Sequence, residues 1–354
     1  MDPLEALRRV AYLQDRGLLP SQKTAAFLRA ADVVSQLPEG ELEQRVAAGT
    51  LLDLPAVGAS TGEVIVQALA GRVPDRIARL EAETAIPLGE GAALRSAMKG
   101  DLHAHSTWSD GGASIETMAR AAMALGHEYL VMTDHSPRLT VAHGLDRDRL
   151  LAQLDEIEVL NEQLAPFRIL TGIEVDILVD GALDQDPDLL GRLDIVVASV
   201  HSKLGMEPQH MTERMLLAVV SPDVDILGHC TGRKVKGFGA EQVEVRKRST
   251  FDAELIFAAC AQFETAVEIN CRPERQDPPP DLLDLALDSG CLISIDTDSH
   301  SPGHLEFLNY GCDKAVAHGI DPSRIINTWA ADDLLAWTRH HPAAELRTYV
   351  QEDR

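Results

Sequence analysis

Seven apolar runs in the last three-quarters of the chain each end in a polar residue that can bind a metal ion. The runs alternate with stretches of helical periodicity, a pattern typical of βα units around a parallel sheet or barrel. In such barrels the carboxyl ends of the strands form the rim on which active sites are built. Of 13 histidines, six follow these runs, so their positions are not random. The runs end at His103 and His105, at His135, at Glu174, at His201, at His229, at Asn270, and at Asp298 with His300.

Histidine and carboxylate ligands without thiolates suit Zn²⁺, Mn²⁺ or Fe²⁺. The sequence contains nine such candidates, more than one ion can use, so we expect two to three divalent transition-metal ions. The candidate ligands are His103, His105, Asp110, His135, Glu174, His201, His229, Asp298 and His300.

Composition excludes several classes of protein. The formal net charge of −24 argues against strong non-specific binding to nucleic acid, which needs a basic surface. No apolar run is long enough to span a membrane, and the first residues lack the features of a signal peptide. The five cysteines contain no CxxC pair, which is typical of reduced thiols. We therefore expect a cytoplasmic protein without a membrane partner.

The first 80 residues predict a small all-α domain. Leu4, Leu7 and Val10 recur at helical spacing. Further on, Leu54-Pro55-Ala56-Val57-Gly58 resembles a helix-hairpin-helix, in which backbone N–H groups hold a DNA phosphate. Residues 81–98, with one proline and two glycines, predict a linker, 99–340 the metal-binding domain, and 341–354 a C-terminal tail.

The segments GDLHAHSTWSDG, TDHS, GIEVDIL, DIVVASVHS, VDILGHCTGR, VEINCRPERQD and ISIDTDSHS resemble the successive motifs of a PHP (polymerase and histidinol phosphatase) domain. The resemblance runs from about residue 99 to about residue 340. It is strongest to the PHP domain at the C-terminus of bacterial and archaeal family X DNA polymerases. This family implies a distorted (β/α)₇ barrel, here preceded by the helix-hairpin-helix-like domain.

The resemblance also implies roles for individual residues. One ion would take His103, His105, Glu174 and Asp298, a second would share Glu174 and add His201 and His229, and a third would use Asp110, His135 and His300. Arg233 and Lys203 would be catalytic residues that contact the substrate. Asp134 and Asp176 could orient ligating histidines, and Asn270 and Arg275 match family positions near the mouth of the site.

The implied activity is metal-dependent hydrolysis of a phosphoester by an activated hydroxide. Two substrates stay open: DNA 3′ ends, attacked by a 3′-5′ exonuclease or 3′-phosphatase, and a small phosphomonoester of the histidinol-phosphate type. The third alternative is a non-catalytic module that binds DNA or serves a structural role. Polymerase activity is not supported, because only residues 81–98 occupy the interval in which the relatives carry a nucleotidyl-transfer domain. Lyase activity is not supported either, because no lysine lies between Lys23 and Lys99.

Overall fold

The computed structural model describes residues 1–238 and 241–340. It divides into two compact units, the first of which comprises Met1–Ile86 with Pro302–His304 and the second the rest of the described chain. Residues 81–98 include the end of one helix and the whole of a short one. The tail predicted at 341–354 lies outside the described residues. No helix within the described ranges combines the length and the apolar character needed to cross a membrane.

The N-terminal unit contains five helices around one apolar core. Ala6, Leu7 and Val10 of the first helix are fully buried, as its 3.6-residue periodicity predicts. They pack with Phe27 and Ile65 from two other helices. The helices are α1 Pro3–Arg16, α2 Ser21–Ser35, α3 Glu41–Ala48, α4 Ala59–Leu69 and α5 Asp75–Glu83.

The turn before α4 contains the segment that resembles a helix-hairpin-helix. Ala56 adopts φ 61°, the left-handed conformation that glycine tolerates best, and it stands where the motif usually has glycine. Gly58 N donates to Thr61 Oγ1 at 2.9 Å, which satisfies a backbone donor at the start of α4. The turn predicted from the sequence therefore forms, although alanine strains it.

The second unit is built on seven parallel strands in the order β1-β2-β3-β4-β5-β8-β9, which confirms the predicted βα barrel. The sheet strands are β1 Gly100–Ala104, β2 Tyr129–Met132, β3 Arg168–Asp176, β4 Ile195–Ser199, β5 Ile226–Leu227, β8 Ala266–Asn270 and β9 Ile293–Asp296. A separate antiparallel hairpin, β6 Lys234–Lys236 with β7 Val243–Arg246, was not predicted. The helices of this unit are α6 Ala92–Ala97, α7 Ile115–Ala124, α8 Arg147–Leu164, α9 Pro187–Leu190, α10 Pro208–Val219, α11 Ala253–Phe263, α12 Pro280–Asp288, α13 Leu308–Ala317 and α14 Ala331–His340.

Successive side chains of a strand point to opposite faces, so one strand contributes to two separate apolar clusters. In β2, Leu130 and Met132 pack with residues of α7 and α8, whereas Tyr129 and Val131 join a second cluster. That second cluster collects residues from the beginnings of several strands, together with Leu334 of α14. Apolar packing therefore occupies the amino-terminal end of the barrel, and the carboxyl-terminal end is left for polar groups.

Side chains close the barrel between β1 and β9, which share only an isolated bridge, Ala104 to Ser299. Leu102 N donates to Asp296 Oδ1 at 2.9 Å. The buried Asn327 completes the seam, because its Oδ1 accepts from Ile295 N at 2.7 Å. Its Nδ2 donates to the Ile295 carbonyl at 2.9 Å and to Asp296 Oδ1 at 2.8 Å.

We predict that Asn327→Asp destabilises the barrel by about 3 kcal/mol, because it removes two donated hydrogen bonds from a buried site and sets a carboxylate against Asp296. Urea unfolding of the full chain measures the change as a lower midpoint. Asp332→Asn, which alters an exposed ion pair with Arg168, serves as control and should change little. An unchanged midpoint for Asn327→Asp would show that the seam does not depend on this side chain.

Candidate metal centre

All nine candidate ligands lie at the carboxyl-terminal end of the barrel. Eight of the nine, all except His229, supply the ligand atoms of three groups, and within each group the atoms lie within 4.8 Å of one another. His105 belongs to two groups and His135 to two, so the groups adjoin. The groups are His105, Asp110, His135 and His300; His103, His105 and Asp298; and His135, Glu174 and His201.

Glu174 lies at the centre of the cluster. Its Oε1 is 2.8 Å from His229 Nε2 and 3.1 Å from His201 Nε2. Its Oε2 is 2.9 Å from His135 Nδ1 and 3.4 Å from His103 Nε2. The two oxygens of one carboxylate thus face different histidines, which is the arrangement a bridging ligand needs.

Several ring nitrogens of the histidines are arranged to bind divalent cations and not to form hydrogen bonds. Buried polar atoms are normally hydrogen-bonded, yet several ring nitrogens here have no partner in hydrogen-bonding geometry, although carboxylate oxygens lie within 4 Å of some of them. Nitrogen lone pairs and carboxylate oxygens that converge in this way are the donor set of Zn²⁺ and related ions. The cluster is therefore suited to metal binding. The nitrogens without a partner are His103 Nε2, His105 Nδ1 and Nε2, His135 Nδ1, His201 Nδ1 and Nε2, and His229 Nδ1.

The charges of the cluster are strongly coupled. Burial raises the pKa of Glu174, but His201, His103 and His135 outweigh it and hold this pKa well below its ordinary value. For His201, burial lowers the pKa, and the Glu174 and Asp176 carboxylates reverse the effect and raise it to about 9. A cation that binds here replaces such protons, so metal uptake releases them.

Asp298 is held in a strained conformation. Its φ of 50° is left-handed, which aspartate tolerates better than most residues. Its Oδ2 accepts from Asn270 Nδ2 at 3.0 Å and lies 3.0 Å from Arg275 Nε. Burial raises the pKa of Asp298, but Arg275 and His103 lower it well below its usual range. The surroundings therefore keep this carboxylate ionised and aimed at the cluster, where its Oδ1 lies 3.4 Å from His105 Nε2.

Comparison with known proteins identifies the barrel. The model of the family described as PHP domain matches residues 101–251. The chain is 36% identical over 245 residues to the DNA polymerase/3′-5′ exonuclease PolX of Bacillus subtilis, an alignment that covers 69% of this chain and 41% of the relative. It is 37% identical over 137 residues to a Thermoanaerobacter sp. (strain X514) protein named "Probable phosphatase", covering 36% of this chain and 52% of that protein.

Residues 101–251, within the barrel, match a PHP domain. The chain spans about two-fifths of the Bacillus subtilis relative and about half of the Thermoanaerobacter relative. Among solved structures, the histidinol phosphate phosphatase of Lactococcus lactis, complexed with zinc, L-histidinol and phosphate, aligns with a TM-score of 0.41 and 19% identity, over 62% of this chain and 94% of that one.

Two carboxylates of the barrel contact candidate ligand histidines. Glu268, which the sequence analysis missed, lies with its Oε1 2.6 Å from His103 Nδ1, and its Oε2 accepts from His229 N. Asp176 Oδ1 accepts from His201 N at 3.1 Å and lies 3.5 Å from its Nδ1. Such contacts fix the ring orientation of a metal ligand. Glu268 could have been found from the strand period, because it lies two residues before Asn270 in β8 and therefore shares its face.

Asp134 does not contact a histidine in this way. Its carboxylate accepts from Ser106 N at 2.8 Å, from Ser109 N at 3.1 Å and from Gln153 Nε2 at 2.6 Å. These bonds anchor the loop that runs from His105 to Asp110. Asp134 thus positions two candidate ligands through their backbone.

The two predicted catalytic residues lie apart from the ligand groups. Arg233 Nε donates to the Arg275 carbonyl at 3.1 Å, and its Nη2 donates to the Gln276 carbonyl. Lys203 is exposed and has φ 55°. Both stay predictions as substrate-contacting residues.

The cations that do contact the cluster come from the loop after β8. Arg272 Nη1 donates to the Asp298 carbonyl at 3.0 Å and lies 2.7 Å from His300 Nδ1. Arg275 contacts the Asp298 carboxylate, as described above. The sequence analysis named Arg275 only as a family position and did not name Arg272.

We predict that Glu174→Gln removes more metal than the loss of any single histidine, because the substitution keeps the shape of the side chain but takes away a charge that faces four histidines. Elemental analysis of the purified variant, with circular dichroism to verify folding, measures the loss. Glu162→Gln, at an exposed position of α8, is the matched control and should keep the wild-type content. A folded Glu174→Gln protein with the full complement of ions would contradict the bridging role.

Proposed function

We propose that this chain is a metal-dependent phosphoesterase that holds two to three transition-metal ions, Zn²⁺, Mn²⁺ or Fe²⁺. The observation that carries the proposal is the buried Glu174 carboxylate, whose two oxygens face His201 and His229 on one side and His103 and His135 on the other. Of the three functions open from the sequence, a non-catalytic module is the least supported, because all nine candidate ligands are present and converge.

Different residues of the metal centre have different roles in phosphoester hydrolysis. When bound, divalent ions lower the pKa of water and neutralise the charge that develops on phosphate oxygens. Glu174, Asp298 and the histidines would hold the ions, while Glu268 and Asp176 fix the rings of His103 and His201. Glu174, Asp298 and Glu268 are buried, so little reorganisation is needed there when charge develops.

DNA 3′ ends are the substrate we favour, and the N-terminal unit supplies the reason. A cavity of 550 Å³ in that unit is lined by Lys23, Arg76, Phe27 and the first turn of α4. Backbone N–H groups at a helix start and two cations are what a DNA phosphate requires. The similarity to a relative named as a 3′-5′ exonuclease supports the same substrate.

A small phosphomonoester is the second candidate. The chain carries a net charge of −24, which disfavours a long polyanion more than a small anion. Similarity to a protein named as a phosphatase also supports it.

We expect the full chain, purified without chelator, to contain two to three transition-metal ions and to hydrolyse an aryl phosphate. DNA with 3′-hydroxyl or 3′-phosphate ends and histidinol phosphate, assayed side by side, identify the substrate class, with Glu174→Gln as the inactive control. Less than one ion per chain with undiminished hydrolysis would overturn the proposed mechanism.

We predict that a Lys23→Ala, Arg76→Ala double variant raises KM for DNA ends on the order of ten-fold, because few phosphate contacts are lost and they bind ground state and transition state alike. Hydrolysis of an aryl phosphate should not change, since every candidate ligand lies beyond residue 100. Arg29→Ala with Arg72→Ala, at exposed positions of the same unit, controls for general loss of charge. Unchanged kinetics on DNA in the Lys23, Arg76 variant would favour the small phosphomonoester.

A further inference from the structure

Arg275 places unused hydrogen-bond donors beside the metal centre. Its side chain is only 16% exposed, and its Nε lies 3.0 Å from Asp298 Oδ2. Within residues 1–238 and 241–340, this ion pair is the only side-chain contact described for its guanidinium. A guanidinium carries five N–H donors in a rigid planar fork, so both terminal amino groups remain available.

The neighbouring Arg233 and Arg272 use more of their donors. Arg233 donates to the main-chain carbonyls of Arg275 and Gln276. Arg272 donates to Glu274 Oε1 and to the Asp298 carbonyl, and it contacts His300 Nδ1. Arg275 is therefore distinguished from both by its two available amino groups and not by its charge.

The charge of Arg275 acts on candidate ligands from two strand ends. Arg275 is the largest opposing influence that lowers the pKa of Asp298, which follows β9. The pKa of His229, which follows β5, is lowered to about 4. Burial is the largest cause of this lowering, and the positive charge of Arg275 is the second. The guanidinium thus lies near groups from both sides of β8, at the edge of the ligand cluster.

We propose that Arg275 is a catalytic residue that binds the phosphoryl group of the substrate, donating its two terminal amino groups to two non-bridging oxygens. This inference rests on the proposed phosphoesterase function. A planar fork matches two phosphate oxygens as it matches a carboxylate, and such charge-assisted bonds are among the stronger hydrogen bonds in proteins. The role assigned to Arg233 by family resemblance then belongs to an arginine from the loop after β8.

Substitutions that keep the positive charge separate the contribution of the two terminal amino groups of Arg275 from the contribution of its charge. Arg275→Lys keeps a cation near Asp298 but cannot offer two parallel donors, whereas Arg246→Lys makes the same change at an arginine that donates to the Gly232 carbonyl. Binding of inorganic phosphate to the full-length, metal-loaded proteins is measured by calorimetry, and elemental analysis verifies equal ion content. Arg275→Gln extends the series by removing the charge.

We expect Arg275→Lys to weaken phosphate binding on the order of ten-fold and Arg275→Gln to weaken it further, with a parallel rise in KM for an aryl phosphate. Arg246→Lys should bind phosphate within about three-fold of the wild type, because Arg246 is not part of the proposed phosphate contact. If Arg275→Gln loses its ions, the comparison of the two lysine variants decides.

Two results would overturn the inference and leave the proposed function standing: phosphate affinity unchanged in Arg275→Lys, or an equal loss in Arg246→Lys. Both require a wild-type protein that binds phosphate and hydrolyses a phosphoester. A metal-loaded wild type that does neither would overturn the proposed function and this inference together.

Discussion

The structure of the site depends on one buried carboxylate, Glu174, within 3.6 Å of five imidazoles. A lone carboxylate in an apolar interior would be protonated, because burial disfavours its charge. Here the surrounding histidines lower its pKa well below the ordinary value. The histidines in turn have no alternative partners for several nitrogens. The cluster is therefore stable as a charged assembly and not as separate side chains, which explains why its ligands come from six different strand ends.

The barrel concentrates these groups because of how it closes. A continuous ladder between β1 and β9 would satisfy their backbone without side chains, but they share only one bridge. Asp296 and Asn327 replace the ladder, and Leu102 donates to Asp296. His103 lies in β1, His105 follows the end of β1, and Asp298 and His300 follow the end of β9. Closing the seam at the level of Asp296 thus brings the first and last candidate ligands together.

The sequence predicted the barrel, because parallel strands follow from local patterns, and the structure gathers the candidate ligands of those patterns at one rim. Apolar runs ending in His or carboxylate indicate strand ends, and parallel strands gather those ends at one rim. The hairpin β6–β7 was missed, since three- and four-residue strands such as Lys234–Lys236 leave almost no period to detect. Glu268 was missed because it lies inside an apolar strand rather than after it. The contacts of Arg233 and Arg275 could not be predicted, because they depend on how the loop after β8 folds back toward Gly232 and Asp298.

The balance of charge explains why arginines matter at this centre. The chain as a whole is acidic, at −24, and would repel an anionic substrate. Arg272 and Arg275, together with the ions that the ligands are suited to hold, reverse the sign locally. A cation whose donors are mostly used supplies mainly this general attraction, as Arg272 does. A cation with two available donors can also orient one phosphoryl group relative to the ligands, and orientation is what separates catalysis from attraction. The two available donors of Arg275, and not its net charge, are the reason to expect substrate contact at this residue.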